Sequence, residues 1–387
     1  MKFNQYTWNL YKQTAIGIEM IKYFSDAGGY ALFRDYCPHA NFIPADLYND
    51  WLENIYCYGV SDYDYPTSLE EAKDLYISLI TLGVRVGRQQ WLLANDFKNM
   101  LGVIQPISYV LSQFAPEYFF PYLFLCRIFE LNKIADFFNM NLPNIPKRTD
   151  YKGRCMYYWD LCEVFYLFRK ENGLSPAELW SFLYDFAPNN LPSEKIDMPK
   201  PSQVWFIGGR LYQEDKSLES KFWQSSPETK KGDILIHYET SPISAITCIE
   251  TSLTDGVIDP LFRYYGCIHI GNRMNIPHIT LKELQADEYF SKHPLIRKKF
   301  QGVNGWPMSS EDYSELLRMI EAKGFDTGTL LKLYAPTLPK NVNIVIERDV
   351  EQQLLEPLLN SMGWYENKDF IRQLPIHAGR GHRIFPD

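Results

Sequence analysis

Apolar residues recur at helical spacing through the first half of the chain. In WNLYKQTAIGIEMIKYF, one side of a continuous helix would carry five of them, which are Trp8, Tyr11, Ala15, Ile18 and Ile21. LSPAELWSFLYDFA starts with the spacing of an N-terminal capping box, in which Ser175 precedes Glu178 by three residues. We therefore predict an all-α domain over residues 1–195.

The most apolar run of this half, YFFPYLFLCRIF, begins at Tyr118 and is about twelve residues long, whereas a membrane span needs ~20. We expect it to form a buried helix. The start of the chain lacks the hydrophobic core of a signal peptide. The seven scattered cysteines show neither zinc-ligand spacing nor a local disulfide pattern. These features favour a cytoplasmic protein without membrane contact.

The pattern changes after a polar, proline-rich linker that we place at residues 188–202. Short alternating segments follow and predict strands at QVWFIGG, GDILIHYE, ISAITCIET and RYYGCIHIGN. HITLKEL runs from a strand into a helix. SSEDYSELLRMIEAKG has the pattern of a helix that Ser309 or Ser310 caps and Gly324 ends. We predict a mainly β domain over residues 203–325.

Four large aromatic residues lie at strand ends and in loops of this domain: Trp205, Trp223, Tyr238 and Trp306. Side by side they could wall a flat ligand, because a base stacked on an aromatic ring gains ~1–3 kcal/mol. A flipped base also needs polar contacts to its edge, and Asp233 and Asp259 could accept from an exocyclic amine. The alternative interpretation is that these rings fill the core of a small barrel.

The order of these features resembles that of the EVE domain, which belongs with the YTH domain to the PUA-like superfamily. The resemblance covers residues 203–322 and depends on VWFIGG, KFWQSSPETKKGDILIHY, PHITLKEL and KKFQGVNGWPMSSEDYSELL. It implies a mixed β-barrel whose aromatic pocket reads a modified base in nucleic acid. It also implies that the four aromatic residues named above are the residues of that pocket. The RYYGCIHIGN stretch departs from the shorter EVE proteins.

Residues 343–387 combine a helix, a strand, a glycine-rich turn and a second strand that ends in Pro-Asp. This order resembles the first half of a PD-(D/E)XK nuclease core, and most of all the nuclease domain of type I restriction motor subunits. The resemblance implies that Glu347 is the helix glutamate and that Asp387 binds the metal ion. Mg²⁺ is the cofactor expected of a complete domain. Because no Glu-x-Lys follows Asp387 in the sequence, we expect this chain to hold no cofactor and to be inactive as a nuclease.

The net charge of −8 disfavours a general nucleic-acid coat, so contacts with phosphates would come from local basic patches. The candidate phosphate-binding residues form two such patches, Lys292, Arg297, Lys298 and Lys299 in one and Arg380 with Arg383 in the other. A solvated surface is the alternative interpretation of either patch.

Together the three segments of the sequence predict an α+β multidomain chain. It has an all-α N-terminal half, a PUA-like mixed β-barrel and a partial α/β restriction-endonuclease-like segment. We expect a restriction or anti-phage defence protein that binds nucleic acid, preferably DNA with a modified cytosine rather than RNA. Its further partner would be a second copy of the chain or a nuclease or motor protein. Two alternatives stay open. One is a helical scaffold or protein-interaction subunit with a degenerate PUA-like module, and the other is a metal-dependent DNA nuclease with His377, His382 and Asp387 as ligands.

Overall fold

The structure, a computed structural model, describes residues 3–26, 29–37, 44–86, 96–192, 198–210, 220–333 and 343–361, together with Glu366, Ile371, Ile376–His377 and Arg383–Ile384. The chain divides into two units, one of Met1–Pro199 with Gln203–Leu330 and the other of Lys200–Ser202 with Leu331–Asp387. The helical region and the β domain therefore belong to the same unit.

The first unit begins with a helical region, as predicted. Its α-helices are α1 (Gln5–Gln13), α2 (Ala15–Asp26), α3 (Gly29–Tyr36), α4 (Ala45–Ile55), α5 (Leu69–Val86), α6 (Phe97–Met100), α7 (Ile104–Phe114), α8 (Ile128–Phe138), α9 (Tyr151–Asn172), α10 (Pro176–Ser181) and α11 (Ala187–Asn190). Shorter helical turns are π-helical at Tyr56–Val60 and Phe182–Phe186 and 3-10 at Leu101–Val103. The predicted capping box of α10 is confirmed, because Glu178 N donates to Ser175 Oγ and Ser175 N donates to the Glu178 carboxylate.

The predicted continuous first helix is broken at Thr14. The extended backbone of Thr14 (ψ 154°) ends α1, and its hydroxyl accepts from Gly17 N at 2.9 Å at the start of α2. Gly17 permits this close turn, since a Cβ there would lie 2.1 Å from Tyr11 O. The break changes the phase of the apolar face, so that Trp8 is fully buried whereas Ile18 is 57% exposed. The prediction of one apolar side through both segments is therefore wrong.

The run that begins at Tyr118 is buried but does not form the predicted helix. From residue 115 to residue 127 the backbone makes turns and extended stretches, because Pro121 lacks an N–H and disfavours helical backbone in the residue before it. Tyrosine hydroxyls replace the helical hydrogen bonds. Tyr184 Oη donates to Pro121 O at 2.5 Å and accepts from Leu123 N at 3.2 Å, and Tyr158 Oη donates to another carbonyl of the run. Within the described ranges, no helix has both the length and the apolar character that a membrane span requires.

The β domain forms a sheet that curls into a half-barrel. Its strands are β1 (Val204–Gly209), β2 (Ser220–Gln224), β3 (Ile234–Glu239), β4 (Ala245–Ser252), β5 (Val257–Ile258), β6 (Gly266–Thr280) and β7 (Trp306–Met308). Their order is β2-β6-β4-β3-β1-β7 with β5 beside β6, and only the β1–β3 pair is parallel among the described strands. The predicted strands are present. RYYGCIHIGN and the start of HITLKEL form one long strand, β6, and β2 is a strand that the alternation does not predict.

Three short helices complete the β domain: α12 (Leu281–Ala286), α13 (Pro294–Arg297) and α14 (Ser310–Glu321), with 3-10 turns at Phe290–Lys292 and Thr327–Thr329. Ser309 caps α14 as predicted, because its hydroxyl accepts from Asp312 N at 3.0 Å. Gly324 follows the helix with a left-handed φ of 79°, which glycine adopts without strain.

The central strands are buried on both faces of the sheet. One face lines the inside of the half-barrel and carries an apolar cluster of Trp205, Ile207, Leu235, Ile268 and Ile270, against which Trp223 of β2 packs. The opposite face carries Phe206 and Tyr238, which pack on Phe300 in the segment after α13. Alternation along the strands therefore places neighbouring residues in two separate environments.

A buried arginine joins the helical region to the β domain. Arg154 on α9 is fully buried, and its guanidinium donates to Pro260 O at 2.8 Å and to Phe262 O at 2.6 Å in the loop between β5 and β6. The rings of Tyr151 and Tyr265 flank it, with centroids 5.3 and 5.2 Å from the guanidinium carbon. Carbonyl oxygens and ring faces thus solvate a cation that water does not reach.

The second unit contains α15 (Glu347–Val350), a π-helical turn (Glu351–Leu355) and α16 (Glu356–Ser361), and its strands β8 (Ile376–His377) and β9 (Arg383–Ile384) pair antiparallel. The predicted order of helix, strand and second strand is confirmed for these elements. Pro357 lies just after the π-helical turn, which lies where the i→i−4 hydrogen bonds would otherwise meet a residue without an N–H. The turn residues 378–382 lie outside the described residues.

We predict that Arg154→Met lowers the free energy of unfolding by about 3 kcal/mol, because it leaves the buried Pro260 O without its donor, at ~1–3 kcal/mol, and also removes the hydrogen bonds to Phe262 O and Arg148 O. Urea unfolding followed by circular dichroism measures this change. Arg263→Met is the matched control, since Arg263 is exposed on the same loop and should lose less than about 0.5 kcal/mol. Equal effects of the two substitutions would contradict the proposed role of Arg154.

Candidate functional site

Trp205 and Asp233 contact each other, but in the core of the half-barrel. Trp205 Nε1 donates to Asp233 Oδ2 at 2.9 Å, and the same carboxylate accepts from Lys230 N and Gln203 N. Trp205 is 5% exposed and Asp233 is 1% exposed. Asp233 therefore holds the turn before β3 to the start of β1, and the geometry of both residues is that of fold stabilisation rather than of an open base contact.

Trp223 lies at the end of β2, where the two ends of the curled sheet meet. Trp223 Nε1 donates to Asn304 Oδ1 at 3.1 Å, and Gly208 N of β1 donates to the same oxygen at 2.9 Å. The indole also lies directly against Gly209, since a Cβ there would be 2.6 Å from Trp223 Cζ2. Trp223 is only half-buried, so the structure leaves part of this ring accessible at the rim of the half-barrel.

Tyr238 and Trp306 do not join Trp205 and Trp223 on one surface. Trp205 pairs with Leu235, and Tyr238 is an odd number of residues further along β3, so it points to the opposite face. There it stacks on Phe300 at 3.8 Å between ring centroids and is 4% exposed. Trp306 pairs with Phe206 and faces the same side as Tyr238. The expectation of a single pocket walled by all four rings is therefore wrong, because it ignores the register of the strands.

The first basic patch lies beside Trp306. Its four basic residues are all exposed: Lys292, Arg297, Lys298 and Lys299. Lys298 Nζ lies 5.7 Å from the centre of the Trp306 ring. Lys299 and Phe300 both have left-handed backbone (φ 50° and 59°), a conformation that is strained for residues other than glycine. The buried Phe300 ring holds this strained turn and thereby the direction of the basic loop.

Asp259 lies away from the aromatic residues, in the loop that Arg154 binds. It is fully buried, and its Oδ1 accepts from Leu261 N at 2.9 Å and Phe262 N at 3.2 Å. Burial raises the pKa of Asp259 to about 6, although the nearby Arg154 opposes that shift. The carboxylate therefore shapes the loop at the junction with the helical region, which corrects its expected role as a base contact.

The remaining predicted site residues belong to the second unit. Glu347 is the first residue of α15 and is exposed. His377 and Arg383 lie opposite each other in register on β8 and β9. Three further residues, Arg380, His382 and Asp387, lie outside the described residues. The expected roles of Glu347 and Asp387 in a nuclease core and of Arg380 and Arg383 in phosphate binding stay predictions.

Sequence reasoning missed a polar cluster inside the β domain. His237 on β3 and Glu250 on β4 are buried, and His237 Nδ1 lies 3.0 Å from Glu250 Oε2. Arg273 of β6 donates from Nε to Glu250 Oε1 at 2.9 Å. Burial would raise the pKa of Glu250, but His237 and Arg273 hold it below its ordinary value. The available signal was one histidine in β3 and one glutamate in β4, each directly after an apolar residue of a buried strand.

The buried thiol of Cys248 lies in the same cluster, because Cys248 pairs with His237 in the β3–β4 register. One potential ligand atom each from His237, Cys248 and Glu250 lies within 4.8 Å of the others. Burial raises the pKa of the Cys248 thiol to about 12. All seven cysteines are free thiols, and five of them are buried, as expected for reduced core cysteines.

Two adjoining clefts lie in the first unit and share Arg127, Glu130 and Pro188. Their volumes are about 320 and 510 Å³. The charged groups of the shared wall already bind each other, because Arg127 Nη2 donates to Glu130 Oε1 at 2.6 Å. The carboxylate of Asp185 likewise accepts from Tyr11 Oη at 2.6 Å. These clefts present internally paired groups, so they are weaker candidates for a specific site than the β domain.

Comparisons with known proteins add little to this geometry. No family model and no curated protein matches the chain. The NMR structure of Rpa0253 from Rhodopseudomonas palustris is similar to 31% of this chain and 94% of its own length, with 14% identity and a TM-score of 0.28. A likeness at that TM-score supports no argument about fold or function.

The buried Asp259 predicts a specific pH dependence of stability. Because its folded-state pKa of about 6 exceeds the ordinary value of 3.8, the native state takes up a proton between those values. The stabilisation that protonated Asp259 provides is therefore complete below about pH 4. It is lost as the pH rises through about 6, which lowers the free energy of unfolding by up to about 3 kcal/mol. Asp259→Asn should remove this decline in urea unfolding measured from pH 4.5 to pH 7.

The matched control for that measurement is Asp255→Asn, which changes an exposed aspartate just after β4. Its unfolding free energy should follow that of the unmodified protein at every pH. The interpretation fails if Asp259→Asn and the unmodified protein give parallel curves over the same range.

Proposed function

We propose that the β domain binds nucleic acid through Trp306 and the exposed basic loop of residues 297–299. The observation that carries the proposal is the position of Lys298 Nζ, 5.7 Å from the centre of the half-exposed Trp306 ring. An aromatic ring beside a cation is suited to stack a base and to neutralise the adjacent phosphate. The strained backbone at Lys299 and Phe300 supports this, since strain of this kind clusters at functional sites.

The proposed binding surface is a small group of basic residues, as expected for a protein whose overall charge is negative. With a net charge of −8, general attraction to phosphates is unfavourable, so binding depends on a few cations placed together. Arg297, Lys298 and Lys299 are consecutive and exposed beside the edge strand β7. The strand of nucleic acid would follow this edge of the sheet.

We further propose that Trp223 stacks a flipped, modified base at the rim of the half-barrel, with modified cytosine in DNA preferred to RNA. Support comes from the partial exposure of Trp223 and from the resemblance of residues 203–322 to the EVE domain. Trp205 and Tyr238 would then be supporting residues, because both are buried. A role in restriction or anti-phage defence, together with a nuclease or motor partner, is the biological setting that this proposal implies.

A second candidate function is a scaffold that binds another protein through the helical region. Four exposed tyrosines near the end of α4 favour it: Tyr56, Tyr58, Tyr63 and Tyr65. Tyrosine is enriched at protein interfaces because its ring gives a large contact area and its hydroxyl a polar contact. The filled apolar interior of the half-barrel also agrees with this alternative.

Titration of labelled duplexes that differ only in one modified cytosine tests the base-reading proposal. We expect tighter binding of the modified duplex, and Trp223→Ala should abolish the preference because stacking contributes ~1–3 kcal/mol. Tyr264→Ala is the control, since Tyr264 is an exposed aromatic residue of the same domain. Equal affinities of the unmodified protein for both duplexes would refute base reading, while a single-stranded RNA arm identifies RNA as the alternative ligand.

The basic loop should determine how binding depends on salt. Lys298→Ala is expected to make the slope of log K against log salt shallower by about 0.9, the value for one lost phosphate contact. Trp306→Ala should weaken binding by about tenfold or more through lost stacking, with the circular dichroism spectrum unchanged. Lys282→Ala on α12 is the control for charge alone. An equal change of slope in Lys282→Ala and Lys298→Ala would contradict the proposed surface.

A further inference from the structure

His237, Cys248 and Glu250 form a group of metal-ligating side chains apart from the proposed nucleic-acid surface. All three are buried, with exposures of 0%, 1% and 2%. His237 and Cys248 lie opposite each other on the antiparallel strands β3 and β4, so their separation is set by backbone pairing. The potential ligand atoms lie within 4.8 Å of one another.

The imidazole of His237 has one nitrogen with a partner and one without. Its Nδ1 lies 3.0 Å from Glu250 Oε2, whereas Nε2 is fully buried and has no hydrogen-bond partner among the described residues. A buried imidazole nitrogen without a protein partner is available to bind a ligand. A carboxylate at Nδ1 favours the tautomer that carries its proton there, which leaves the lone pair of Nε2 available.

We propose that His237 and Cys248 bind one Cu⁺ ion as its two protein ligands, and that Glu250 is a positioning residue that holds the imidazole. Thiolate sulfur and imidazole nitrogen suit this soft ion, whereas Zn²⁺ takes three or four protein ligands and Mg²⁺ and Ca²⁺ prefer oxygen. Binding forms the metal–nitrogen and metal–sulfur bonds and releases the thiol proton of Cys248 to solvent.

The surroundings of the group agree with the proposed arrangement. Arg273 donates to Glu250 Oε1, so the carboxylate is already held in the orientation that fixes His237. Such carboxylate–histidine contacts commonly orient the ligands of metal sites. The Trp223 ring packs edge-on against His237 at 4.8 Å between centroids and would shield the ion from water on that side.

Metal analysis of the full chain tests the proposal in two arms, one with Cu⁺ under reducing, oxygen-free conditions and one with Zn²⁺ for comparison. After dialysis against a weak chelator, we expect close to one equivalent of Cu⁺ per chain and much less Zn²⁺. Cys248→Ala should lose that equivalent, and Glu250→Gln should lower the affinity about 10- to 100-fold. Cys267→Ala is the matched control, because Cys267 is an equally buried thiol on β6.

Absorption spectroscopy supplies an independent readout, since Cu⁺–thiolate bonds absorb in the ultraviolet. The band should appear with the unmodified protein and with Cys267→Ala, but not with Cys248→Ala. Cys248→Ser, which preserves the size of the side chain, replaces Cys248→Ala if circular dichroism shows that the latter is unfolded. Failure of the unmodified protein to retain Cu⁺, tighter retention of Zn²⁺ than of Cu⁺, or the same Cu⁺ stoichiometry in the Cys248 variant would overturn the proposal.

Discussion

The guanidinium of Arg154 is buried where the helical region meets the β domain, and its positive charge depends on carbonyl oxygens for solvation. Its partners, Pro260 O and Phe262 O, belong to a loop whose shape Asp259 maintains through its own hydrogen bonds to the backbone. The arginine and the loop therefore require each other, because either alone would leave buried polar groups unpaired. This mutual requirement explains why the two regions form one unit.

The loop anchored by Arg154 lies between β5 and β6, and β6 is the long strand on which much of the sheet is assembled. β6 pairs with β2, β4 and β5, so the position of its start affects the whole curl of the sheet. At the other end of the path, Asn304 joins β1 to Trp223 of β2 through one carbonyl oxygen. Together these contacts place Trp223 at the rim and Trp306 at the edge.

The two proposals for this protein use different faces of the same strands. The outer face and the edge strand carry Trp306 beside Lys298, whereas the inner face carries His237 and Cys248. Trp223 connects them, because it contacts both His237 and the turn that precedes β7. A metal ion at the inner face would thus stiffen the position of the ring that we propose as the base platform.

The sequence by itself determined the types of most elements and some of their ends, because hydrophobic periodicity and capping at Ser175 and Ser309 depend on residues close in the chain. It also indicated which aromatic residues the β domain carries. Only the tertiary structure decided that Tyr238 faces away from Trp205, that Asp259 serves the junction with α9, and that His237, Cys248 and Glu250 lie together. Those outcomes depend on strand register and on contacts between residues distant in sequence, which a local pattern does not contain.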